Sequence, residues 1–305
     1  MTSNRADVPD PFETPIPDGL GCFKAPVKRR PIEKLIRRVA LAAQPALRAT
    51  RLTFTAWRAY ERSRAKTQEV ENQAAPSPDG FPIPPPYLQV KVAGHSESQR
   101  FFAEGLRTSH FIAETLARHS APVPELGRIL DFGCGCGRVT RHWPSDGSVD
   151  VHGSDHDAEL IGWVRANLPF VTANHNQLAP PLPYPDAHFG LVYAISVFTH
   201  LTAELGLAWM AELQRIVRPG GFLLFSVTGP WFMDSMRRRE RAAFDRGELV
   251  VQFAEGAGSN LCLALHPASY VHRMIGAFDC VEVLPPHDTA GAVPQEVWLT
   301  RRPAA

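Results

Sequence analysis

The chain has no run of eighteen apolar residues and no short apolar leader behind a basic start, so neither a membrane-spanning helix nor a secretory signal is expected. Asp7, Asp10, Glu13 and Asp18 near the start also argue against a transit peptide. Charge of one sign is missing too. Lys and Arg total 32 against 31 Asp and Glu, so the net charge of +1 gives no field that would gather nucleic acid or repel an acidic substrate. There is no cysteine framework: Cys22, Cys134, Cys136, Cys262 and Cys280 are odd in number and scattered, which fits a reducing compartment and a cytoplasmic location. The C-terminal half has no aromatic-flanked Asn/Asp-Pro-Pro segment that would grip a flipped base, so nucleic acid is not the expected partner.

What is present is a globular composition, 44% hydrophobic over 305 residues, unevenly distributed. Residues 1–30 are rich in Pro, Asp and Gly without apolar period, and are expected to be disordered. Residues 31–75 form a basic amphipathic arm, with Ile32, Leu35, Ile36 and Val39 at helical spacing and a pattern that resumes after Pro45 at Leu52, Phe54, Trp57 and Tyr60. Its cations, densest over 31–66, suit a peripheral membrane contact or an acidic protein; a helix packed on its own domain or on a second subunit is the plainer alternative. Pro76 to Pro86 is a proline-rich linker, taken as 76–88, that separates the arm from a domain over 89–305. Ser96 and Gln99 have capping-box spacing ahead of a helix reaching about His119.

From Arg128 short apolar runs alternate with helical patterns. Strands are expected near Arg128–Phe132, Val149–Ser154, Phe170–Thr172, Phe189–Val197, Gly221–Val227, Cys280–Leu284 and Glu296–Thr300. The fourth is apolar on both faces, as a central parallel strand covered by helices must be. Too few residues separate the last two for a covering helix, so they should pair antiparallel. The expected fold is α/β: a Rossmann-like doubly wound, mostly parallel seven-stranded sheet with an antiparallel last strand, plus the N-terminal helical arm.

The strongest local signal is Leu130-Asp131-Phe132-Gly133-Cys134-Gly135-Cys136-Gly137-Arg138. Glycines at 133, 135 and 137 let the backbone turn sharply and approach a ligand. A dinucleotide fingerprint needs G-x-G-x-x-G, and counted from Gly133 the sixth position is Arg138. A nicotinamide-dependent oxidoreductase is therefore the weaker alternative, and Asp131 would repel a diphosphate. A ligand with a cationic aminoacyl end would gain from that carboxylate.

At these residues the chain resembles the class I S-adenosylmethionine-dependent methyltransferases. The resemblance continues through Asp155, 24 residues after Asp131 at the end of the second strand, the polar run Asn174–Gln177, the Leu182–Phe189 lead into the fourth strand, Ser196–Leu201, and Ile216–Leu223. One departure is Gly190, where related sequences commonly carry an Asp. More narrowly, the chain is similar to a bacterial subfamily often associated with glycosyltransferases, which implies a saccharide or other small-molecule acceptor. The resemblance implies S-adenosylmethionine as cofactor, with Asp131 and the glycines Gly133, Gly135 and Gly137 at its aminoacyl end, Cys134 within the loop, Asp155 at the ribose, Asn176 or Gln177 and Ser196 near the adenine, and His156 among the cofactor-binding residues.

Cys134 and Cys136 lack two further ligands at metal spacing and read as small residues filling a tight loop, so no metal is expected. His200, after the fourth strand, is a candidate base for an acceptor proton or a helix cap; His266, in the long stretch from Trp231 to His266, is a second candidate. That stretch is expected to form a lid or acceptor wall. A non-catalytic cofactor-binding or scaffold protein is the alternative to an enzyme, and the oligomeric state is open.

Overall fold

The computed structural model describes residues 77–304 together with Ala59, Glu61 and Arg62. The expectations for residues 1–30 and for nearly all of the basic arm lie outside the described residues.

The proline segment is docked on the domain rather than free. Arg141, fully buried, receives it: its guanidinium pairs with Asp79, donates to the carbonyls of Phe81 and Pro82 at 3.2 Å each, and lies 4.2 Å over the Phe102 ring. The prolines also start a helix instead of running extended to residue 88. Pro86 occupies the first turn of α1 (Pro86–Ala93), where a missing N–H costs nothing. Helix α2 (Ser98–Arg118) begins one residue later than the capping-box reading; Glu97 stands at its N-cap without a side-chain bond, while the Ser98 hydroxyl takes a hydrogen bond from Gln89 of α1 at 3.1 Å.

After the short helix α3 (Val123–Leu126) come β1 (Arg128–Phe132), β2 (Asp150–Asp155), α4 (Ala158–Asn167), β3 (Val171–His175), β4 (Phe189–Ala194), α5 (Ala203–Ile216) and β5 (Val217–Val227). The hairpin strands β6 (Val250–Gln252) and β7 (Leu263–Leu265) follow α6 (Arg238–Asp245), and α7 (Ala268–Ile275), β8 (Asp279–Leu284) and β9 (Glu296–Arg301) complete the domain. The main sheet has the order β3-β2-β1-β4-β5-β9-β8. Strands β1 to β5 are parallel, and β9 runs antiparallel to both β5 and β8, as expected for the last strand. The third strand reaches His175 and the fifth starts at Val217, so Asn174 belongs to the sheet and the Arg218–Gly221 turn is absorbed into it.

Two apolar layers follow from the period of two along each strand. Ile129, Leu191 and Leu224 face the layer under α2 and α4, whereas their neighbours Leu130, Val192 and Leu223 face the layer under α5 and α7. Every residue of β4 is buried, the pattern of a strand covered on both sides. The strand order reverses between β1 and β4, and a doubly wound sheet opens its ligand crevice at that point, beyond the carboxyl ends of the strands.

The Gly190 departure has a steric cause. A Cβ there would lie 2.2 Å from the Leu126 carbonyl oxygen, so α3 packs directly on the backbone of β4 and leaves no room for the Asp of related sequences. Gly190→Ala should therefore lower unfolding stability by about 1–3 kcal/mol through overpacking against backbone. Gly162→Ala, on the exposed side of α4 with nothing within 4 Å of its Cβ, should raise it by about 0.5–1 kcal/mol; urea denaturation of the two variants checks both signs.

Candidate functional site

At the crevice lies a cavity of about 220 Å3. Asp131, Gly133, Cys134, Gly135, Asp155, His156, Asn176, Ser196 and His200 all line it. Gly137, Gln177 and His266 do not.

The floor is the turn from β1 into the glycine loop. Gly135 has φ +58°, and a Cβ on it would stand 2.6 Å from a Val92 methyl of α1, so the loop takes this path only with glycine. Its N–H donates to Asp155 Oδ2 at 2.8 Å, and the Asp157 N–H donates to Asp155 Oδ1 at 2.8 Å. Each carboxylate oxygen thus holds one backbone donor and keeps lone-pair capacity toward the cavity. Burial raises the Asp155 pKa against these bonds.

Asp131 is 4% exposed and sits at the end of a buried chain of donors: Trp143 Nε1 donates to the Tyr193 hydroxyl at 2.7 Å, Tyr193 bonds Asp131, and the Thr140 hydroxyl donates to Asp131 Oδ2 at 2.5 Å. Burial pushes its pKa up to about 7, against the Thr140 and Tyr193 bonds and the charge of Arg138 and in concert with the charge of Asp155.

Asn176 is buried because its N–H extends the edge of the sheet to the Asp155 carbonyl at 3.0 Å while its Oδ1 accepts from Ser154 at 2.6 Å. Gln177, the next residue, is exposed. Ser196 takes a left-handed backbone, φ +62°, at the end of β4. Such a conformation costs a non-glycine residue about 1–3 kcal/mol unless the surroundings hold it. Here the Ser196 N–H donates to Ser226 Oγ at 2.7 Å, and both serine hydroxyls donate to Gln295 Oε1, at 2.8 and 2.7 Å.

His200 donates from Nδ1 to the Cys262 carbonyl at 2.7 Å, because a carbonyl oxygen can only accept; in the neutral ring this leaves the lone pair on Nε2. The roof comes from Gly258, Ser259 and Asn260 of the Trp231–His266 stretch, so that stretch does wall the cavity. Gly258 N–H donates to the His200 carbonyl at 2.8 Å, and Asn260 donates to the Lys91 carbonyl of α1 at 2.7 Å. His266 is placed elsewhere: it is 2% exposed, packs against Tyr270, and burial lowers its pKa to about 3. Gly137 supports the loop from beneath, against Leu168.

Sequence reasoning named the stretch that supplies the roof but no residue within it, and it did not single out Glu61, Lys91, Val92, Arg138 or Asp157 as parts of the cavity. Asp157 carried a readable signal, since an Asp just before a helical pattern caps it; its Oδ1 accepts from the Glu159 and Leu160 N–H groups at the start of α4. Lys91 pairs with Asp157 and, at 3.3 Å, with Glu159. The Cys134 and Cys136 thiols are buried, the latter pushed up to about 12 by that burial, and no group of His, Cys, Asp and Glu among the described residues is placed to hold a metal. No helix of the described residues is long and apolar enough to cross a membrane.

A doubly wound sheet with an antiparallel last strand, a glycine loop between two acidic strand ends and a crevice above them define a nucleoside-binding α/β domain. Residues 129–221 match the methyltransferase domain family. The chain is similar to a malonyl-(acyl-carrier protein) O-methyltransferase of Enterobacter lignolyticus, 29% identical over 157 residues that cover 48% of this chain and 53% of that protein. It is also similar to a probable S-adenosylmethionine-dependent methyltransferase of Mycolicibacterium smegmatis, 36% identical over 98 residues, 32% of this chain and 37% of that one. The chain thus spans about half or less of these relatives. Among solved structures, the Burkholderia thailandensis 1,6-didemethyltoxoflavin-N1-methyltransferase is 16% identical with a TM-score of 0.48, covering 71% of this chain and 85% of that one.

The Asp131 geometry predicts a pH dependence of cofactor binding. A ligand ammonium favours the ionised carboxylate, so below pH 7 binding must displace a proton, and affinity for S-adenosylmethionine should rise by up to about tenfold per pH unit from pH 5.5 to 7 and level off above. Calorimetric titration in buffers of different ionisation enthalpy should show proton release over that range. The slope should be absent for 5′-methylthioadenosine, which lacks the aminoacyl end, and in Asp131→Asn.

Proposed function

We propose that this chain transfers a methyl group from S-adenosylmethionine to a small-molecule or saccharide acceptor, by O- or N-methylation, with His200 as the base. The observation that carries the reading is the pair of carboxylates, Asp131 and Asp155, at the ends of neighbouring strands on either side of a glycine loop, in one cavity with His200.

The residues present fit the cofactor. A glycine loop whose Cβ positions are filled by Val92 and Val197 brings backbone to the ligand, and the buried Asp155 is suited to the ribose hydroxyls. Asp131 would meet the ammonium, and Asn176 and Leu178 would border the base. Two buried carboxylates make a poor seat for a dinucleotide diphosphate. When bound, the cofactor supplies an electrophilic sulfonium methyl whose departure leaves a neutral thioether. The chain's work is then to hold the acceptor in line, exclude water and take one proton. His200 can take it at Nε2 while Nδ1–H stays on the Cys262 carbonyl, which fixes the ring and gives the imidazolium a partner. The roof from Gly258 to Asn260, tied to His200 and to α1, excludes water above the same point.

Incubation with methyl-labelled S-adenosylmethionine and fractionated extract of the source organism should place label in a non-protein product. His200→Gln should lower that rate by about 10²- to 10⁴-fold while affinity for S-adenosylhomocysteine stays within about twofold. Asp155→Ala should instead weaken S-adenosylhomocysteine binding by about 10- to 100-fold. Cofactor binding with no labelled product in any fraction would favour the non-catalytic alternative.

A further inference from the structure

The segment between β8 and β9 delivers a side chain to the end of β4. Thr108 of α2 bonds the Ala292 carbonyl at 2.9 Å, the Ala292 N–H donates to the Thr289 carbonyl at 2.8 Å, and the Thr289 hydroxyl bonds the Val293 carbonyl at 2.7 Å. Gln295 follows this anchored turn, half-buried, and its amide meets Ser196 and Ser226. The bonding directions follow from the hydroxyls. Ser226 Oγ accepts the Ser196 N–H, and both serine hydroxyl protons then need an oxygen to receive them, which the amide oxygen supplies and the amide nitrogen does not. Gln295 Oε1 is thereby used up, two lone pairs for two hydroxyls. Its Nε2 keeps two N–H donors that no described residue accepts.

With the cofactor in the cavity, the methyl acceptor meets it at a margin, and His200 marks which one. Ser196 and His200 both line the cavity and belong to one tight turn, closed by the Thr199 hydroxyl on the Ser196 carbonyl at 3.0 Å and by the His200 N–H on the Val197 carbonyl at 2.9 Å. The Gln295 amide is fastened to one end of that turn, and the proposed base stands at the other. Support for Ser196 alone would need only the amide oxygen. The nitrogen is an uncharged donor, and it suits an uncharged oxygen, whereas a carboxylate or phosphate calls for a guanidinium or an ammonium. We infer that Gln295 Nε2 donates to an uncharged oxygen, hydroxyl or carbonyl, of the methyl acceptor, which makes Gln295 a specificity-determining residue of the transfer. The inference rests on the methyl-transfer reading proposed above.

Transfer from methyl-labelled S-adenosylmethionine into the extract fraction that takes label, followed over a dilution series of that fraction, yields relative kcat and KM values. Gln295→Met removes both arms of the amide. It should raise KM about 10- to 100-fold, the range for a contact whose partner is left unpaired, with kcat within about threefold. Affinity for S-adenosylhomocysteine should stay within about twofold, which also reports an intact fold. Gln295→Glu keeps an oxygen for both serine hydroxyls and removes the N–H donors, so it tells the two kinds of partner apart. A hydroxyl can turn and donate to the carboxylate, and KM should then rise less than in Gln295→Met; a carbonyl cannot, and KM should rise at least as much. A KM in Gln295→Met within about twofold of wild type, or one that rises only in step with lost S-adenosylhomocysteine affinity, would overturn the assignment while leaving methyl transfer intact. Gln295→Lys with a KM below that of wild type would also overturn it, because the partner would then be a charged oxygen. Wild-type protein that binds S-adenosylhomocysteine but labels no fraction would overturn the methyl-transfer reading and this inference together.

Discussion

The hydrogen bond from the Gly135 N–H to Asp155 joins the loop after β1 to the end of β2, and the cavity's geometry follows from it. The Gly133 and Cys134 N–H groups hold the start of the loop on the Ser154 carbonyl of β2, at 2.7 and 3.1 Å, and the Asp155 bond extends that hold to Gly135. With the bond made, the loop lies across the top of the sheet, Val92 of α1 packs on Gly135 where a side chain would otherwise be, and α1 becomes a wall. Lys91 of the same helix then pairs with Asp157 just beyond Asp155, and Asn260 reaches its carbonyl from the roof. One backbone-to-carboxylate contact thus depends on, and organises, elements drawn from four separated parts of the chain.

The second organising feature is electrostatic. Asp131 and Asp155 end neighbouring strands, and both are buried. Burial raises the pKa of both, that of Asp131 to about 7, and the charge of Asp155 adds a smaller push to Asp131 in the same direction. The Trp143–Tyr193–Asp131 chain fixes its orientation whichever form it takes. Positive charge on a ligand beside Asp131 would favour its ionised form.

Local patterns made much of this legible before the structure. The β1 run and the glycine loop need only adjacent residues to be recognised, and β4 shows itself by being apolar on both faces. Asp155 was readable because a strand end and an acid coincide. What stayed hidden depends on contacts across the chain. The stretch holding Asn260 was legible as a wall, but nothing next to Lys91 or Glu61 marks either residue as part of a cavity whose other walls lie far away in sequence. The choice between Asn176 and Gln177 turns on which neighbour continues the strand's inward face, and only the Ser154 and Asp155 contacts decide it. His200 and His266 both follow strands and look alike in sequence; the Cys262 carbonyl distinguishes one, and burial away from the crevice the other. Gly190 looked like a missing acid and is a packing contact with Leu126.

The central claim is that the loop between Asp131 and Asp155 seats S-adenosylmethionine. A crystal structure of the full chain with S-adenosylhomocysteine tests it most directly. The expected result is ribose hydroxyls on Asp155, the amino-acid end between Asp131 and the glycine loop, and the sulfur facing the side of the cavity that holds His200. Density for the ligand outside this cavity, or with the adenosine and amino-acid ends exchanged, would contradict it.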